Sequence, residues 1–192
     1  MDGSIVKVNE LVKRYGNKTA VNRISFDVKE GEVFGLPGPN GAGKTSTLEC
    51  IEGMREFDGG SISVAGIDVK KEENAIKKIL GVQLQASSLP GEIRPYKAMT
   101  LICGWHNLPI ILDLIKKFGL DNEPKKEYMQ MSTGQKRRLH LALALATKPA
   151  VVVLDEPTAG LDVEGRSQLH QIIKELKAEG ITFLLATHDM EN

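Results

Sequence analysis

Glu32-Val33-Phe34-Gly35-Leu36-Pro37-Gly38-Pro39-Asn40-Gly41-Ala42-Gly43-Lys44-Thr45 is the stretch that decides the fold of this chain. Residues 32–36 have strand length and apolar character, a glycine-rich turn follows, and residues 44–52 read as a helix that Gly53 stops. Gly38 to Thr45 fits GxxxxGK followed by Ser or Thr, the P-loop pattern. A polyphosphate needs close backbone approach, which glycine permits, and successive N–H groups at a helix N-terminus to meet its charge. On this reading Gly38, Pro39, Asn40, Gly41, Ala42 and Gly43 form the cradle and Lys44 reaches the β- and γ-phosphates. Thr45 offers its hydroxyl to Mg²⁺, and Ser46 lies next along the same helix start. The strand before and the helix after argue against a plain Gly-rich turn.

Working outward, residues 5–12 and 21–28 alternate apolar and polar at the strand period around the turn-like Tyr15-Gly16-Asn17-Lys18, an antiparallel opening. Downstream, a short strand over 61–64, a polar helix over 70–78 and a strand over 79–84 are expected. From about 86 to 131 helical periods broken by Pro90, Pro95 and Pro109 take over, with 108–118 the clearest amphipathic helix. We read this as an inserted helical subdomain. A helix over 133–146 precedes Val151-Val152-Val153-Leu154, whose lack of alternation suits a strand covered on both faces of a parallel sheet. An amphipathic helix over 164–179, ended by Gly180, and a strand over 181–186 complete an α/β pattern.

The apolar strand runs into Asp155-Glu156, at the strand end where ligands of open α/β sheets collect. Asp155 suits holding Mg²⁺, and Glu156 suits orienting or deprotonating an attacking water. An acidic pair at a strand end is by itself equally a solvated loop; a phosphate loop in the same sheet is what makes it a candidate site.

Composition removes several classes. The chain has 192 residues, enough for one domain with a subdomain inserted, and 41% are hydrophobic and 26% charged, as in ordinary globular proteins. Lys plus Arg and Asp plus Glu are both 25, so no overall basic field draws in nucleic acid, and no nucleic-acid partner is expected. Cys50 and Cys103 lack metal-ligand spacing and read as buried or bystander thiols. No apolar run approaches the ~18 residues that cross a bilayer, and Met1-Asp2-Gly3-Ser4 lacks the form of a signal peptide. Of the four histidines, His106, His140 and His170 sit within helical patterns, whereas His188 follows a strand end.

Taken together these motifs resemble an ABC ATPase cassette over essentially the whole chain. Besides the P-loop and Asp155-Glu156, the sequence carries Leu80-Gly81-Val82-Gln83-Leu84-Gln85, Met131-Ser132-Thr133-Gly134-Gln135, Ala159-Gly160-Leu161-Asp162 and Thr187-His188-Asp189, in the order Q-loop, signature, D-loop and H-loop. The resemblance implies a P-loop NTPase, RecA-like core with a mostly parallel sheet flanked by helices, made of residues 1–85 and 132–192 with an antiparallel β part, and a helical subdomain over about 86–131. It implies ATP and Mg²⁺ as ligands. Gln85 would contact Mg²⁺ and the attacking water, with Gln83 the poorer candidate by register, and His188 would hold the γ-phosphate. Tyr15 would stack on adenine, a role that a lone tyrosine would otherwise yield to packing. Ser132, Gly134 and Gln135 would meet the nucleotide of an opposite subunit; Ser132 with Gln135 is also a capping box at a helix start, and the two readings are compatible.

The implied function is the ATP-hydrolysing subunit of a membrane transporter. Two copies would pack head-to-tail around two MgATP and drive a separate transmembrane permease from the cytoplasmic, inner face of the cell membrane. Residues 82–89 and the signature are similar to drug- and lipid-exporter cassettes, which points to export. The alternatives are a soluble ABC ATPase without a transport role and a nucleotide-binding regulator that has lost hydrolysis. Three departures from the family pattern bear on that choice. Pro37 occupies the last residue before the loop, where proline removes a donor that a central strand would need. Thr133 stands where glycine is usual. The chain stops four residues after His188, where the family continues with further strands and a helix, so a shortened or reduced member is expected.

Overall fold

The structure, a computed structural model, describes residues 3–36, 38–39, 41–83 and 89–187, with the Gln83 side chain excepted. Pro37, Asn40, Gln85 and His188 therefore lie outside the described residues. In chain order the elements are β1 (Ser4–Tyr15), β2 (Lys18–Lys29), β3 (Val33–Leu36), α1 (Lys44–Ile51), β4 (Gly59–Val64), β5 (Ile67–Asp68), α2 (Glu73–Ile79) and β6 (Leu80–Gln83). There follow α3 (Pro95–Trp105), α4 (Leu112–Lys117), a 3-10 turn at Tyr128–Gln130, α5 (Thr133–Leu145), β7 (Val151–Asp155), α6 (Val163–Ala178) and β8 (Thr182–Ala186).

Two four-stranded sheets result. The antiparallel one has the order β2-β1-β4-β5, the parallel one β3-β8-β7-β6. Tyr15 pairs with Lys18 across the hairpin, so β1 and β2 run the full length up to the Gly16-Asn17 turn, further than their alternation alone indicates. In β7 the apolar run divides by parity: Val152 and Leu154 pack with α5, α6 and the helical region, Val151 and Val153 with α1 and the antiparallel sheet. All four are fully buried, each worth about 1.5–3 kcal/mol of apolar burial. The unbroken hydrophobicity thus reflects two cores meeting on one sheet.

The helices correct three local expectations. Lys70 and Lys71 donate their N–H groups to the Asp68 carboxylate, a local turn that competes with helix, and α2 starts only at Glu73. Pro95 does not break a helix but begins one, as the first residue of α3, where its missing N–H would be unpaired anyway. The expected amphipathic helix over 108–118 shrinks to α4, because Asn107 turns left-handed at φ 53 to end α3 and Pro109 precedes an irregular stretch. Nor is β3 central: among the described residues it pairs with β8 alone.

Candidate active site

Strand order places β3 and β7 on either side of β8, all parallel, so their C-terminal ends open on one edge. From β3 the chain passes into the glycine loop. Gly43 adopts φ 82, and a Cβ there would come within 2.2 Å of the Ala20 carbonyl oxygen, so only glycine lets the loop lie against β2. Lys44 opens α1 at that point and is itself buried. From β7 come Asp155 and Glu156, the latter held in the left-handed region at φ 46 while its N–H donates to the Ala186 carbonyl at 2.8 Å. A non-glycine residue there costs about 1 kcal/mol or more, strain of the sort that collects at functional sites.

The side chains converge. Lys44 Nζ donates to the Gly38 carbonyl at 2.5 Å and lies 3.6 Å from Glu156 Oε1. Thr45 donates its hydroxyl proton to Asp155 Oδ2 at 2.9 Å. The other carboxylate oxygen, Asp155 Oδ1, is buried with no hydrogen-bond partner among the described residues. Burial pushes the Asp155 carboxyl above its ordinary range, partly offset by the Thr45 bond and reinforced by the Glu156 charge. A buried, unsatisfied anionic oxygen beside a threonine hydroxyl fits the oxygen-donor chemistry of Mg²⁺, which takes only one or two carboxylates from the protein and the rest from phosphates and water. No group of three or more acidic, histidine or cysteine side chains that could hold a metal occurs among the described residues, in keeping with so sparse a donor set.

Tyr15, Pro39, Gly41, Gly43, Lys44, Thr45, Ser46 and Glu156 line one open cleft of about 480 Å³. Tyr15 is 41% exposed, bonds Ser46 Oγ through its hydroxyl at 3.0 Å, and has Lys13 and Arg55 5.1 and 5.4 Å from its ring centre. That leaves a partly open aromatic surface beside the loop. Lys18 and Ala20 also line the cleft without belonging to any recognised motif position, and Ala159, the first residue of the D-loop stretch, joins them. Lys18 had one readable signal: it is the hairpin partner of Tyr15.

Ser132 and Gly134 lie elsewhere. With Thr133, Arg138, Gly160, Leu161, Asp162, Glu164, Gly165 and Gln168 they line a second cavity of about 350 Å³, between the N-termini of α5 and α6. Ser132 Oγ accepts from Gln135 N–H at 3.1 Å, and Gln135 Oε1 accepts from Ser132 N–H at 3.0 Å, a reciprocal cap. The Gln135 amide nitrogen donates to Glu123, so this side chain is engaged in the cap and does not line the cavity with its neighbours. Asp162 caps α6 through Gly165 N–H at 2.8 Å. Two capped helix starts thus share one hollow, and one chain presents its lysine cleft and this hollow separately.

The profile of the family described as "ABC transporter" matches residues 21–159. The chain is 38% identical to the Nod factor export ATP-binding protein I of Burkholderia orbicola (strain AU 1054) over 93% of its length, and 33% identical to the linearmycin resistance ATP-binding protein LnrL of Bacillus subtilis (strain 168) over 97%. It spans 61% and 62% of the length of these relatives. Its fold superposes on a crystal structure of the ADP conformation of an ATP-binding cassette of an ABC transporter with a TM-score of 0.86, at 24% identity, covering 98% of this chain and 82% of that one.

Proposed function

This chain belongs to the ABC transporter family, and we propose that it binds and hydrolyses ATP as the motor subunit of an exporter. The observation that carries the reading is the cleft in which Lys44, Thr45, Asp155 and Glu156 meet over the N-terminus of α1. The loop amides and Lys44 receive the phosphates of ATP, with Tyr15 against the base. A γ-phosphate carries more charge than one carboxylate and competes for the Lys44 ammonium. Glu156, relieved of that ion pair, accepts the proton of the attacking water. Thr45 and the Asp155 carboxylate would hold Mg²⁺, which would supply positive charge against the phosphates. Gln85 and His188 take the roles that their motifs assign: contact to Mg²⁺ and water, and to the γ-phosphate.

Ser132 and Gly134 lie off this cleft, so a site is completed by the α5 N-terminus of a second copy packed head-to-tail, with two ATP between the pair. Closing and opening of that pair drives a transmembrane permease, which places the chain on the cytoplasmic face of the membrane. Export is supported by the relatives' names, which specify Nod factor export and linearmycin resistance. No helix among the described residues is long and apolar enough to cross a membrane.

The reading is tested by phosphate release across a range of protein concentrations. Release per chain that rises with concentration supports a composite site. Tight ATP binding with no release at any concentration replaces the motor with a nucleotide-binding regulator.

A further inference from the structure

Tyr128 belongs to none of the motifs above, yet it sits where two of them are joined. Two backbone hydrogen bonds fasten residues 89–93 to the turn that leads into Ser132. Tyr128 N–H donates to the Ile93 carbonyl at 2.8 Å, and Met129 N–H donates to the Gly91 carbonyl at 2.8 Å. The side chain reaches the same segment, its phenol oxygen facing the Leu89 N–H. Tyr128 is 8% exposed and packs in one core with Leu89, Ile93 and Met131.

The same phenol oxygen lies 2.9 Å from His140 Nε2, with the two rings edge to face at 5.7 Å. Leu89 N–H and His140 Nε2 both face the phenol oxygen, and a neutral imidazole with Nε2 unprotonated accepts the phenol proton. Burial, with the nearby Arg137 charge, disfavours the protonated ring and agrees with that assignment. A relay of contacts therefore runs from Leu89 through the Tyr128 hydroxyl to His140, two turns into α5. The first turn of that helix carries the Ser132 cap, with Lys136 N–H on the Ser132 carbonyl at 2.9 Å.

We infer that the Tyr128 hydroxyl is a positioning group, which locks the Ser132-Thr133-Gly134 turn to residues 89–93 so that the two move as one body. It touches no nucleotide; it acts through α5. The inference rests on the proposed function for its consequence, since the pose of Ser132 matters to hydrolysis only if that turn meets a nucleotide. The linkage itself does not.

Tyr128→Phe keeps the ring and removes the relay. Amide exchange on the full chain should quicken by about fivefold or more at both Leu89 and Lys136, while Thr47 in α1 is unchanged. In the same variant kcat should fall about tenfold, the effect expected from losing one buried hydrogen bond, with ATP affinity of the single chain within about twofold of the parent. His140→Gln, which retains an accepting oxygen, should preserve both readouts, and His140→Leu should reproduce the loss. The His140 pair decides the matter if Tyr128→Phe does not fold. Faster exchange at Leu89 with Lys136 unmoved overturns the linkage, and an unchanged kcat in a parent that hydrolyses ATP overturns the positioning role. A parent without hydrolysis removes the proposed function instead, and the exchange result still stands or falls by itself.

Discussion

The cleft over α1 and the hollow between α5 and α6 settle their polar groups in opposite ways. In the first, partners are drawn from distant parts of the chain: Lys44 against Glu156 and Thr45 against Asp155, with one Asp155 oxygen left over. In the second, each helix start is capped by its own neighbour, Ser132 on α5 and Asp162 on α6. A cap is local and survives the arrival of a ligand, whereas a long-range ion pair is open to exchange. The α1 cleft is thus suited to trading its internal partners for phosphate, and the α5 hollow to keeping its caps and offering helix N-termini as they stand. Neither half contains what the other supplies.

That contrast can be broken at several points. The largest effect belongs to Glu156→Gln: phosphate release should fall about a thousandfold, the range of a lost general base, with ATP still bound. An unchanged rate would take the base from Glu156. Next comes the burden of buried charge. Burial, with the charges of Glu49 and Asp155 behind it, pushes the Glu52 carboxyl at the end of α1 up to about 7. The folded chain then keeps a proton that the unfolded chain loses above its ordinary 4.5, so stability falls as pH rises through 4.5 to about 7, by about 3 kcal/mol in all. Glu52→Gln stays neutral and should flatten that slope, raising the denaturant midpoint at pH 8 and not at pH 4. An unaltered slope would remove the charge burden from the α1 half.

Smaller effects separate the two halves directly. Lys44→Ala should weaken ATP binding by about 2 kcal/mol, roughly thirtyfold, measured by calorimetry on the single chain. Ser132→Ala should leave that affinity alone and lower stability by about 1 kcal/mol through the lost cap, read from the thermal midpoint. An equal loss of ATP affinity in both variants would mean that one chain already brings its two halves together.

Much of this arrangement was legible because its residues are tied to backbone needs. The P-loop spacing encodes a turn and a helix start, and the unalternating run at Val151 encodes a strand with a core on each side. The parallel sheet and the antiparallel opening follow from those periods. Side-chain direction was less readable. Gln135 carries one letter of the signature, and its cap with Ser132 was readable, but the bond from its amide nitrogen to Glu123 was not. The left-handed backbone of Glu156 has no signal in a sequence that offers a glutamate where glycine would be easier. Helix lengths between 90 and 131 depended on an Asn107 turn and a Pro95 start that propensity alone misjudged. Tyr128 matters through a partner on another element, His140 on α5, which no local pattern states.

The two halves completing each other across copies is the point on which the proposed mechanism turns, and the mass of Glu156→Gln in solution with MgATP tests it most directly. By sedimentation this variant should be a dimer with MgATP and a monomer without it, and the dimer should vanish when either Lys44→Ala or Ser132→Arg is added. A monomer at every ATP concentration, or a dimer indifferent to Ser132, contradicts it.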